Sequence, residues 1–135
     1  MDTTDFNRFL DHARAKATPQ RLYLVFAEKE YATEAEIAAG EATASSYSIR
    51  PLMYADKALS ALGDFDELLA ESLENGQAWD LVYVSASDDE KLSADFVEER
   101  LEVMVKLIQQ GEGARFVIFD QLGAIYRLDK LSTVH

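Results

Sequence analysis

Asp56, Asp88, Asp89 and Asp120 stand just beyond short runs of apolar and aromatic residues, PLMYA (51–55), LVYVSA (81–86) and RFVIF (115–119). Glu28 stands in the same relation to LYLVFA (22–27). Runs of this kind read as strands. Where strands are parallel their C-terminal ends share one edge of the sheet, and α/β folds build their sites there. Four or five carboxylates gathered on such an edge would offer hard oxygen ligands to Mg²⁺, and Lys57 beside Asp56 could meet a phosphate oxygen. The chemistry would then be magnesium-dependent phosphate binding or phosphate transfer, with Asp56, Asp88, Asp89 and Asp120 as candidate metal ligands.

The same acids have a reading without chemistry. Ser87 followed by Glu90 matches a capping box at the start of a long helix, with Asp88, Asp89 and Glu90 in its first turn. Each acid there gains about 0.3–1 kcal/mol from the helix dipole. A second start at Ser93, with Leu92 stapled to Val97, would instead leave the three acids in the loop before the helix. Asp56 and Asp120 suit turns. We therefore expect the acids to cap and turn the chain, with the metal site as the alternative.

Other residues that could carry chemistry are few. The two histidines, His12 and His135, lie near no recognisable nucleophile, so a Ser–His arrangement or a histidine-rich metal site has little support. No phosphate-cradling glycine motif occurs, and the glycines at 111 and 113 follow a helical stretch rather than open one. Tyr23, Tyr54 and Tyr83 fall within strand runs, where aromatic residues chiefly pack, as Trp79 does just before one. Cysteine is absent, which excludes disulfides, thiol nucleophiles, thiolate zinc and iron–sulfur clusters. No cofactor is implied.

Elements that would position these residues follow from spacing. Thr3 or Thr4 caps a first helix with Phe6, Phe9, Leu10, Ala13 and Ala17 on one face, ended by Thr18-Pro19. The strand 22–27 is apolar on both faces and so central. Thr33 and Glu36 form a capping box for a short helix ending at Gly40, and the small polar residues up to 49 form a loop. Strand 51–55, a helix started by Asp64 and Glu67, strand 81–86 and a long helix ending at Gly111 come next. Strands 115–119 and 124–128 form a hairpin. The expectation is a single α/β domain, mixed α+β, covering residues 1–135. It would have a mixed sheet of about five strands, a C-terminal antiparallel hairpin, three to four covering helices and a frayed tail from 129. Helices between the second, third and fourth strands favour parallel pairing there.

With 135 residues the chain is long enough for one buried core, and a formal charge of −12 disfavours nucleic acid and anionic membranes as partners. Nothing in it resembles a secretory signal or a membrane span, so a cytoplasmic location is expected.

PQRLYLVFAE (19–28) and RPLMYADK (50–57) resemble a family of small bacterial proteins often labelled "ribonucleotide reductase subunit alpha". The resemblance covers about two thirds of the chain and brings no established activity or catalytic residues with it. Ribonucleotide reductases need a cysteine radical and a redox cysteine pair, and a chain without cysteine does not supply them. The expectation is an acidic accessory or protein-interaction domain without catalysis. Its partner would be a basic protein, or a second copy joined through an open sheet edge.

Overall fold

The computed structural model describes residues 4–40, 47–74, 76, 78–88 and 93–127. Four helices and a four-stranded sheet follow in the order α1 (Asp5–Arg14), β1 (Gln20–Tyr31), α2 (Glu34–Ala38), β2 (Tyr47–Ala58), α3 (Phe65–Leu73), β3 (Leu81–Asp88), α4 (Ala94–Gln109) and β4 (Val117–Asp120). The mixed helix-and-strand class agrees with expectation. The strand count and directions do not.

The strand order is β2-β1-β3-β4, and every adjacent pair is antiparallel. β2 and β3 do run the same way, as the helix between them favours, but β1 lies between them. β3 and β4 are neighbours of opposite direction despite the intervening helix. Residues Gln110–Phe116 connect α4 to β4, with Gly113 seated so closely on Tyr83 that a Cβ there would lie 2.4 Å from the ring. Among the described residues the expected fifth strand, 124–128, is reduced to one bridge between Phe119 and Ile125. The turn before it is closed nonetheless: the Asp120 carboxylate accepts from the N–H groups of Leu122 and Ala124, 2.9 and 3.0 Å away, and the backbone N–H groups of Asp120 and Tyr126 donate to the carbonyls of Ala124 and Ile118.

β1 is the spine. Residues 22–27 are buried on both faces. Leu22, Leu24 and Phe26 point to one side, where Phe6, Leu10, Phe65, Leu68, Trp79 and Phe119 complete a core under α1 and α3. Tyr23, Val25 and Ala27 point to the other, against Tyr83, Leu101, Met104, Ile108 and Ile118 under α4. Helices thus cover both faces, with Phe6 as the aromatic pivot, its ring 4.9 Å from Phe119 and 5.2 Å from Phe65.

Local signals set the helix starts. Thr4 accepts from the Asn7 N–H at the head of α1, and reciprocal capping boxes open α2 (Thr33, Glu36) and α3 (Asp64, Glu67). For α4 the cap is Ser93, which accepts from the Phe96 N–H. Ser87 is not a cap, because β3 is still paired with β1 there, and its hydroxyl lies 2.8 Å from that of Tyr23. Asp88 therefore ends a strand, and Asp89 and Glu90 lie outside the described residues.

Both long strands exceed their sequence boundaries. β2 begins at Tyr47, so Pro51 sits inside it, tolerated because β2 is an edge strand. A register shift opposite Phe26 and Ala27 marks a bulge at the same level.

Candidate functional site: the outer edge of the sheet

The antiparallel sheet separates the acids that a parallel one would have gathered. Asp56 is level with Tyr23, Asp88 with Gln20, and Asp120, through Leu81, with Ala27. At about 3.4 Å per residue and about 4.8 Å between strands, Asp56 stands about 14 Å from Asp88 and about 20 Å from Asp120. Asp88 and Asp120 are about 24 Å apart. Ligands of one ion cannot be that distant from one another. Among the described residues no group of three or more His, Asp or Glu side chains could hold a metal ion.

Each described acid instead serves its neighbourhood. Asp56 forms an ion pair with Arg21, 2.6 Å away. Asp88 accepts from the Gln20 amide (2.8 Å) and the Thr18 hydroxyl (2.9 Å), which hold its carboxyl below the usual range. Asp120 closes its turn. Glu28 pairs with Arg50 across β1 and β2, and Lys57 pairs with Glu71 of α3 at 2.6 Å. Tyr23 and Tyr83 pack in the core as expected, while Tyr54 is 52% exposed.

A cluster that sequence reasoning did not single out lies where β1 ends and β2 begins. The Lys29 ammonium sits 4.4 Å from the ring centroid of Tyr126 and 5.3 Å from that of Tyr47. Its pKa is raised, first by the hydrogen bond with Tyr126. Tyr47 is pushed well above the usual tyrosine range by burial and then by the Tyr126 hydroxyl. Burial, followed by the nearby Tyr126, lifts Tyr83 to about 12. Neutral tyrosines beside a firmly protonated lysine make a poor base or nucleophile and a good clasp.

The feature with capacity for another molecule is β2 itself. It pairs with β1 along its length, and among the described residues no strand pairs with its outer side. An unpaired strand edge is a row of N–H and C=O groups ready for a further strand. Tyr54 pairs with Val25 and so faces the α4 side. There, beside the edge, a groove of about 450 Å³ is lined by Tyr54, Glu99, Glu102, Val103, Val105 and Lys106. On the α3 side a smaller hollow of about 120 Å³ is lined by Met53, Ala55, Lys57, Leu68 and Glu71. The sequence held one hint of the larger groove. Val103 is apolar yet lies off the buried stripe of α4, and it is 50% exposed.

Among the described residues no helix is long and apolar enough to cross a membrane. No protein-family model matches the chain, and neither the curated proteins nor the solved structures include a similar one.

Proposed function

We propose that this chain is an acidic, cytoplasmic protein-interaction domain that works through contacts rather than bond chemistry. It takes an extended segment of a protein partner as a fifth strand along β2. The observation that carries this reading is the open outer side of β2, a strand of 12 residues. Main-chain hydrogen bonds along such an edge supply affinity, and pockets for alternate side chains supply selectivity. Pro51 and the neighbouring bulge at Leu52 interrupt the upper part of the edge, so the regular stretch from 53 to 58 is the docking rail.

The test uses three peptides of about seven residues, in which valine alternates with lysine, glutamate or threonine. Amide hydrogen exchange is followed along the chain with each. At least one peptide is expected to slow exchange in residues 53–58 and leave β4 unchanged. Failure of all three to protect β2 removes the reading.

A further inference from the structure

We propose that the captured segment alternates in character, with Lys or Arg side chains on its α4-facing side and small apolar side chains on its α3-facing side. This rests on the strand-addition reading and names the partner chemistry that the edge selects. Successive residues of a strand point to opposite faces, so an added strand sends every second side chain over the α4 groove. The floor of that groove is apolar, with Tyr54 52% and Val103 50% exposed. Its rim carries Glu99 and Glu102. A long basic side chain suits both parts: its methylenes cover the floor while its charged head reaches the rim. Over the face of Tyr54 the cation gains further from the ring quadrupole.

Charges on the surrounding elements leave the groove negative. Of the two basic residues of α4, Lys106 lines the groove, opposed by two carboxylates. The other, Arg100, turns back to the sheet, 4.9 Å from the Tyr23 ring centroid and hydrogen-bonded to the Ala86 carbonyl at 3.0 Å. Asp95 and Glu98 add to the acidity of the same helix. On β2, Asp56 is neutralised by Arg21 and Arg50 by Glu28.

The α3 side asks for something different. Met53, Ala55 and Leu68 line its hollow, and the Lys57–Glu71 pair closes off both local charges at 2.6 Å. A volume of about 120 Å³ admits a small apolar side chain. A second copy of this chain is a poor occupant, because it would bring a second Glu99 and Glu102 toward the first and join two bodies of formal charge −12.

The experiment measures binding of the three peptides by fluorescence anisotropy, alongside amide exchange, for the native chain and for the Glu99→Lys/Glu102→Lys variant. Both glutamates are exposed on a helix surface, and circular dichroism verifies that the variant folds. The lysine peptide should bind the native chain at least about tenfold more tightly than the glutamate peptide, with the preference shrinking as salt rises. The double variant should reverse it. A Tyr54→Leu variant should lose affinity for the lysine peptide and keep it for the threonine peptide. Equal binding of all three peptides with protection of residues 53–58 overturns this inference and leaves strand addition standing. Absence of protection with every peptide overturns both, and a concentration-dependent dimer that protects β2 without peptide assigns the edge to a second copy instead.

Discussion

The hydroxyls of Tyr47 and Tyr126 lie 2.8 Å apart although 79 residues separate them in the chain. With Lys29 beside both rings, the pair ties the end of β1, the start of β2 and the segment after β4 into one clasp. Burial and this contact keep Tyr47 protonated far beyond its ordinary range, and Tyr83 beneath titrates only at about 12.

The clasp makes the fold sensitive to alkali. An unfolded chain releases tyrosine protons near 10, the folded one only later. In the window between about pH 10 and 12 the unfolded state holds fewer protons, so stability falls as pH rises. Lys29 acts in the same direction, since its raised pKa contributes below 10.5 and that contribution is lost as pH climbs through the folded value. For Tyr83 the slope approaches ~1.4 kcal/mol per pH unit. Urea midpoints measured between about pH 9.5 and 11.5 should drop steeply, and Tyr83→Phe should flatten the drop. A native-like slope in that variant would assign the effect elsewhere.

A second prediction concerns the single tryptophan. The Trp79 indole N–H donates to the Ser72 hydroxyl at 2.8 Å, and that hydroxyl donates to the Leu69 carbonyl at 2.8 Å. Both side chains are buried. Ser72→Ala strands the indole N–H without an acceptor and should cost about 1–3 kcal/mol in urea unfolding followed by circular dichroism. In a Trp79→Phe background the same substitution should cost far less, because no donor remains to be stranded. Equal costs in the two backgrounds would show that Ser72 acts through packing alone.

Much of the local structure was legible because it depends on local chemistry. The Thr33–Glu36 and Asp64–Glu67 boxes cap helices where their spacing puts them, and the doubly apolar run 22–27 is the centre of the sheet. Strand lengths were underestimated because residues 28–31 and 47–50 mix charged and polar residues with single apolar or aromatic ones and form no apolar run. Cross-strand partners help hold those ends: Glu28 with Arg50, and Tyr31 with Tyr47, whose ring centroids lie 5.5 Å apart. Strand direction was beyond reach, since a helix between β3 and β4 suggests parallel pairing and yet the two pair antiparallel. The candidate site depends on that direction. Antiparallel order scatters the acids and leaves β2 outermost, and neither consequence is written in any short stretch of sequence.

Asp120 separates the two readings of the acids most cleanly. Its carboxylate takes the N–H groups of Leu122 and Ala124, and Gly123 at φ +79 lets the turn close. Asp120→Ala should therefore lower stability by about 1–2 kcal/mol, and by the same amount with and without added magnesium. Magnesium-dependent stabilisation of the native chain that vanishes in the variant would restore a metal role for this residue.

The last prediction addresses what keeps so long an edge from pairing with itself. Natural edges are guarded by proline, bulges and charge, and β2 has Pro51, the adjacent bulge and Arg50. Proline donates no N–H to a ladder, so the upper part of β2 cannot be zipped in register with a further strand. Pro51→Val restores the donor and a strand-favouring side chain in one change. Sedimentation over a range of concentrations should then show more self-association than the native chain does, with added salt strengthening it by screening the −12 charge. If the variant self-associates no more than the native chain at high salt, Pro51 is not the guard. The bulge and the acidic helices beside it would then suffice to hold copies apart while still admitting a basic strand.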